Sequence, residues 1–226
     1  ELPAGDVILV VVSPSDDIAD DLAQLVARKS KIVLQGALGP KLARLAGIET
    51  VEADAALNDA AQCAPAATYG TAESAASLVY SEAGLGATSP LRRRHFVRYD
   101  FIDEWNNLGY GRIGVDEDCW SIRQIARTFA TPVARIAIPE QQPIGAAIAL
   151  HDTPTCSVLW LARPAGVVDG QDWAVIESFV SAHRVDALPC RPYLRGIPHG
   201  YRAAITMRLD CDEDIASARP LFAHYR

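Results

Sequence analysis

The chain has 226 residues, of which 50% are hydrophobic and 22% are charged, and its formal net charge at pH 7 is −7. This is the composition of an ordinary soluble globular protein, and the negative charge argues against nucleic acid or an anionic membrane surface as the main partner. No apolar run reaches the roughly 20 residues that a membrane-spanning helix needs, so no transmembrane segment is expected.

The five cysteines are widely spaced and odd in number, and no Cys-x-x-Cys pair occurs. This pattern excludes a zinc ribbon and a thioredoxin-like redox pair. At least one thiol stays unpaired in a monomer, which favours a reducing compartment, and a cytoplasmic location is expected. The sequence specifies no oligomeric state.

The first fifty residues alternate between strand and helix patterns. Residues 6–12 form a continuous β-branched run, which is typical of a strand buried on both faces, and Ser13-Pro14 is predicted to start the following helix. Residues 31–34 and 50–52 predict two more strands, with a short helix between them. Since parallel neighbours need crossover helices, this order predicts a parallel sheet.

The rest of the main domain is predicted as loops followed by further strands and helices. Residues 53–90 are rich in small side chains and are interpreted as a loose helix and loops over the sheet edge. A strand is predicted at 95–99, and apolar residues at helical spacing predict a helix over 122–129. Three more strands and a final helix are predicted at 132–138, 144–150, 157–161 and around 173–180.

A linker is predicted after this domain. Three prolines and two glycines fall between residues 189 and 200, a density that is typical of linkers. The predicted organisation is therefore an α/β domain over 1–188, a linker over 189–202, and a further segment over 203–226. That last segment reads as an apolar strand, an acidic run and a helical pattern.

Two carboxylates follow the predicted last strand. Asp210 and Asp212 lie two residues apart, so both side chains can point the same way from the end of the strand. One carboxylate can bind a divalent cation while the other takes a proton from the metal-bound water. A solvated loop that caps the next helix is the alternative interpretation of the same residues.

The segment AITMRLDCDE (204–213) resembles the first motif of the polysaccharide deacetylase (carbohydrate esterase) superfamily, in which a strand ends in Asp-Asp or Asp-x-Asp. The resemblance implies a (β/α) barrel that removes N-acetyl groups from an N-acetylated polysaccharide or its precursor with a divalent metal, normally zinc. By position, Asp210 would be the general base and Asp212 a metal ligand. The later histidine motifs of the family do not occur in this chain, so the segment is expected to be an incomplete domain and this chain alone to be inactive.

The main domain resembles the class I glutamine-amidotransferase-like, or flavodoxin-like, fold, with a mostly parallel sheet and flanking helices. Active members carry a cysteine between a strand and a helix and a later histidine, which here would be Cys119 and His151. The neighbouring Asp116 and Asp118 disfavour a thiolate. A degenerate domain with an accessory role is therefore expected.

Three further interpretations stay open. The whole chain could be a complete hydrolase or transferase that uses Cys119 or the carboxylates of Asp116 and Asp118. It could be a non-catalytic carbohydrate- or partner-binding module, for which Trp105, in a polar run, is the candidate sugar contact. The loop 36–39 could hold a phosphate with its amides, although a tight turn is the preferred interpretation.

Overall fold

A computed structural model describes residues 5–53, 76–88, 92–95, 99–103, 109–112, 122–128, 131–138, 144–165, 171–192, 201, 204–205 and 215–224. The chain divides into two compact units, Glu1–Arg191 and Pro192–Arg226. We call them the first and the second unit. The division falls within the stretch 189–202 that the sequence marks as a linker.

The first unit contains the described strands and most of the described helices. The strands are β1 (Val7–Val12), β2 (Ser30–Gln35), β3 (Ile48–Glu52), β4 (Ser77–Tyr80), β5 (Arg93–His95), β6 (Tyr99–Asp103), β7 (Gly109–Arg112), β8 (Gln124–Thr128), β9 (Thr131–Ala137), β10 (Gly145–Asp152) and β11 (Cys156–Leu161). The helices are α1 (Ala19–Val26), α2 (Pro40–Leu45) and α3 (Gln171–Ser181), with α4 (Arg219–His224) in the second unit. None of the described helices is long and apolar enough to cross a bilayer.

Nine strands form one mixed sheet. Its path is β1-β2-β11-β10-β9-β4-β5, and β8 pairs with β10 and with β3. The pairs β1–β2 and β2–β11 are parallel, whereas the other described pairings in this sheet are antiparallel. The α/β class with flanking helices is confirmed, and the parallel part covers β1, β2 and β11. The connections from β9 to β10 and from β10 to β11 are too short for crossover helices, which forces antiparallel pairing there.

Helices cover both faces of the parallel strands. Ser30 in β2 donates a hydrogen bond to the Leu25 carbonyl at the end of α1, while the ammonium group of the next residue, Lys31, lies over the Phe179 ring of α3. Successive side chains of a strand point to opposite faces, so α1 and α3 lie on opposite sides of the sheet. All six residues of β2 and of β11 are buried as a result.

The first strand and helix differ in detail from the prediction. β1 is the end strand of the sheet, and Val10 and Val12 are 44% and 54% exposed, so burial on both faces was wrong. A 3-10 helix at Asp16–Ile18 precedes α1, and its N-terminal cap is Ser15, whose hydroxyl accepts a hydrogen bond from the Asp17 amide. Ser13 instead adopts a positive φ of 51° in the turn.

The helix predicted over 122–129 is wrong, because residues 124–128 form strand β8. The strand runs between β10 and β3, and its adjacent residues Ile125 and Ala126 are both buried. A short strand covered on both faces has no hydrophobic period of its own, so its apolar residues can fall at helical spacing by chance. The predicted loop region likewise contains strand β4, which has only four residues.

The second unit contains a described helical segment. A 3-10 helix at Ile215–Ala218 leads into α4, which agrees with the helical pattern after the acidic run. For the strand predicted around 203–207, the structure describes Ala204 and Ile205, and neither lies in a strand. The side chain of Ile205 is 91% exposed.

Candidate functional site

Most candidate residues from the sequence lie outside the described part of the chain. These residues are Asp210, Asp212, Trp105, Cys119, Asp116 and Asp118. Among the residues that are described, no group of three or more His, Cys, Asp and Glu side chains could hold a metal ion. The zinc site that the deacetylase resemblance implies therefore stays a prediction from the motif.

His151 lies in β10 and is half-buried against the end of α2. A Cβ atom added at Gly47 would come within 2.5 Å of the His151 ring, so glycine is what allows the two segments to approach. Gly47 also has a φ of 65°, which suits the turn that ends α2. The partner proposed for His151 is Cys119, which lies outside the described residues, so this pairing stays a prediction.

The amides of the loop 36–39 already have partners inside the protein. The Gly36 amide donates to the Leu161 carbonyl at 2.9 Å, and the Leu38 amide donates to the Gln124 side-chain oxygen at 2.9 Å. A phosphate would have to displace both acceptors. The loop is therefore a tight turn between β2 and α2, with Gly36 at a φ of 101°.

The N-terminus of α2 is occupied by a carboxylate from elsewhere in the chain. Asp16 accepts hydrogen bonds from the amides of Lys41 and Leu42 at 3.1 and 3.0 Å. The Leu42 hydrogen bond lowers the pKa of the Asp16 carboxyl, outweighing the small opposing effect of burial. A carboxylate at a helix N-terminus is electrostatically favourable, so Asp16 takes the place that an external anion would need.

Two further hydrogen bonds link the carboxyl ends of the paired strands β2 and β11 and the residues that follow them. The indole nitrogen of Trp160 donates to the Gly36 carbonyl at 2.9 Å, and the Ala165 amide donates to the Gln35 side-chain oxygen at 2.6 Å. These strands are parallel and lead to helices on opposite faces, which is where open α/β sheets bind ligands. In the described residues, the side chains of Gln35 and Trp160 lie at this ligand-binding position and are hydrogen-bonded to the protein's own backbone.

A second group of polar residues lies at the opposite end of β2 and β11. We call it the amino-edge cluster, and its members are Lys31, Asp152, Ser157, His183, Arg184 and Cys190. Ser157 pairs with Lys31 on one side and with Asp152 on the other, so their side chains share the sheet face that α3 covers. The end of α3 and the chain after it supply the other three residues.

Asp152 is the hydrogen-bond acceptor at the centre of this cluster. Its Oδ1 accepts from the Ser157 hydroxyl at 2.5 Å, and Nε2 of His183 lies 2.9 Å from the same oxygen. Burial raises the pKa of Asp152, but the hydrogen bonds from His183 and Ser157 outweigh it and leave the pKa below its ordinary value. Both partners bind the carboxylate rather than each other, so the three residues do not form the serine–histidine contact that nucleophilic catalysis needs.

Arg184 stabilises the turn between β10 and β11. Its guanidinium donates to the carbonyls of Thr153 at 2.6 Å, Pro154 at 3.1 Å and Cys156 at 3.3 Å. The Arg184 backbone has a φ of 52°, a conformation that non-glycine residues adopt at some cost. The three hydrogen bonds offset this cost and fix the position of the residues that follow α3.

Asp152 is expected to make stability depend on pH. A carboxyl whose pKa is lowered on folding stabilises the protein above its unfolded pKa of about 3.9, and the effect is lost as the pH falls through the folded pKa. Asp152→Asn should lower the free energy of unfolding by about 1 kcal/mol at pH 6, a small value because the exposed part of the side chain is screened by solvent. The difference from the wild type should shrink towards pH 3.

The measurement is urea unfolding at several pH values, with the exposed Asp186→Asn as the matched control. That control should follow the wild type throughout. A constant difference for Asp152→Asn between pH 6 and pH 3 would contradict the assignment.

The sequence analysis missed the amino-edge cluster. Lys31 and Cys190 are separated by 159 positions, and no local pattern connects them. One signal was available, because Lys31 interrupts an apolar strand that is buried on both faces. A lysine at such a position needs a partner.

Comparison of the chain with known proteins found no matching family model, no similar curated protein and no similar solved structure.

Proposed function

We propose that this chain forms the N-terminal accessory region, and the start of the catalytic domain, of a metal-dependent deacetylase that acts on N-acetylated polysaccharide or its precursor. The observation that carries the proposal is the motif at 204–213, which lies in the second unit and is followed by the helical segment of Ile215–Ala218 and α4. In the first β–α unit of such a barrel an acidic run is followed by a helix, and the helical segment here follows the acidic run in that order.

Asp210 and Asp212 have different roles in this proposal. Asp212 would be one ligand of a zinc-like ion, which when bound lowers the pKa of a water molecule towards neutrality. Asp210 would accept the proton of the water that attacks the acetamide carbonyl carbon. The carbon–nitrogen bond then breaks, the sugar amine takes up a proton, and acetate leaves.

The first unit has an accessory role in this proposal, such as presenting substrate, binding a partner or spacing the catalytic domain. Catalytic α/β domains usually bind their ligands at the carboxyl ends of the parallel strands. In this chain Asp16, Gln35 and Trp160 occupy that place at β2 and β11, which supports an accessory role. Sugar binding through Trp105 remains part of the same proposal, and that residue lies outside the described range.

The test uses the full-length protein that contains this chain, incubated with zinc and N-acetylglucosamine oligomers while acetate release is measured. Asp210→Asn should lower kcat by about 10²–10⁴-fold, the usual contribution of a general base. Asp212→Ala should abolish tight zinc binding by calorimetry as well as acetate release.

Glu213→Gln is the matched control, because it removes a neighbouring charge that has no role in the proposal. Its activity should stay close to that of the wild type. If Asp210→Asn retains full activity, or if Asp212→Ala still binds zinc tightly, the acidic run is a helix-capping loop and the proposal is wrong.

A further inference from the structure

Lys31 is a fully buried lysine whose side chain ends at a cysteine. Its exposure is 0%, and Nζ lies 2.9 Å from Sγ of Cys190. The ammonium group also lies 5.7 Å from the centre of the Phe179 ring in α3. The aromatic face and the sulfur are therefore its two described contacts.

A buried ammonium group requires an anionic or strongly polar partner. Burying an unpaired charge is strongly unfavourable in a protein interior, and an aromatic face offsets a part of that cost. Among the described residues, the carboxylate nearest in the cluster, Asp152, is bound by Ser157 and His183 and makes no ion pair with Lys31. The sulfur of Cys190 is then the described polar group that lies against the lysine ammonium.

Cys190 is a half-buried residue that is held in place. Its Sγ also lies 3.8 Å from the His183 carbonyl. On either side, Leu188 is buried and the Arg191 amide donates to the Val180 carbonyl of α3 at 2.9 Å. A thiol that is fixed next to a cation in a residue that is not fully buried has the environment of a reactive cysteine.

We propose that Cys190 is a redox modification site, at which the Lys31 ammonium group, 2.9 Å from the sulfur, activates that sulfur for reaction with a hydroperoxide. The sulfur attacks one peroxide oxygen and the O–O bond breaks. The leaving hydroxide takes a proton and becomes water, and the product is a sulfenic acid. Sulfur loses two electrons and the peroxide gains them, so hydrogen peroxide is the only co-reactant.

Cys156 provides a contrast within the same unit. It is fully buried on the opposite face of the sheet, where burial raises the pKa of its thiol despite a hydrogen bond with Ser30. Such a thiol is inert. Of these two described cysteines, Cys190 is therefore the one expected to react.

The experiment treats the full chain with hydrogen peroxide at neutral pH, traps sulfenic acid with a 1,3-dicarbonyl reagent and locates it by peptide mass spectrometry. Cys190 should be labelled and Cys156 should not. Lys31→Met keeps an unbranched apolar stem and removes the charge, and it should slow labelling of Cys190 by about threefold or more. The exposed Lys29→Met is the matched control and should label at the wild-type rate.

A second measurement needs no variant. In the wild-type protein, native Cys190 should react faster with peroxide than the same residue in the urea-unfolded chain, although it is half-buried. If native Cys190 reacts more slowly, or if Lys31→Met folds and labels like the wild type, the proposal is overturned. Neither result depends on the deacetylase proposal, since both are read from the first unit.

Discussion

Asp172→Ala is expected to lower the free energy of unfolding by about 3–5 kcal/mol, the usual effect of removing one partner from a buried ion pair. Asp172 lies in the first turn of α3, and its side chain is 4% exposed. Its Oδ1 accepts from Arg94 Nη2 at 2.5 Å and from the Tyr80 hydroxyl at 3.1 Å. Without the carboxylate, the Arg94 guanidinium loses its ion pair with Asp172 in a largely buried position.

Tyr80→Phe is the matched control for this prediction. It removes one hydrogen bond to the same oxygen and leaves the ion pair intact, so a loss of about 1 kcal/mol is expected. Burial and then Asp172 raise the pKa of Tyr80, which keeps its hydroxyl protonated as the donor at any ordinary pH. Both variants should be measured by urea unfolding followed by circular dichroism.

A double-mutant cycle separates the ion pair from simple loss of packing. Arg94→Met combined with Asp172→Ala should be more stable than Asp172→Ala alone, because no charge is then left buried without its partner. If the losses in the free energy of unfolding from the two substitutions simply add, Arg94 and Asp172 do not stabilise each other across β5 and α3. Asp172 then contributes through its position in the first turn of the helix alone.

The start of the fold could be predicted from the sequence because its signals are local. The β-branched run of β1, the apolar positions Leu22 and Leu25 of α1, and Gly47 at the end of α2 each identify an element without help from the rest of the chain. The helix-containing connection between β1 and β2 also agrees with the parallel pairing of these strands. The predicted third strand differs in its pairing, because β3 follows α2 but pairs antiparallel with β8. Apart from that pairing, these are the elements for which prediction and structure agree most closely.

The other elements and the candidate sites depend on contacts between residues that are far apart in the sequence, and no local pattern encodes such contacts. β8 is a strand because β10 and β3 flank it, and its own residues, such as Ile125 and Ala126, fit a helix as well. The partners of Lys31 come from α3 and from a cysteine near the end of the first unit. The deacetylase residues Asp210 and Asp212 follow from a motif, and their geometry lies outside the described residues.

The two ends of the parallel strands differ in a way that bears on function. At the carboxyl ends of β2 and β11, Asp16, Gln35 and Trp160 make hydrogen bonds with neighbouring backbone groups. At the amino ends, Lys31 relies on the thiol of a half-buried cysteine. Chemical reactivity in the described part of the first unit is therefore expected at the amino-edge cluster, and stability at the carboxyl end.

Trp160→Ala should be the most destabilising single change at the carboxyl end, with a loss of about 3–5 kcal/mol in the free energy of unfolding. Trp160 is 0% exposed and lies in the hydrophobic core. The substitution leaves a cavity and also removes the donor to the Gly36 carbonyl. Trp160→Phe keeps most of the apolar volume but leaves that carbonyl without its indole donor, so a loss of about 1–3 kcal/mol is expected. If Trp160→Phe is as stable as the wild type, the indole hydrogen bond does not hold the β2–α2 turn against β11, and the closed carboxyl end must be attributed to Asp16 and Gln35.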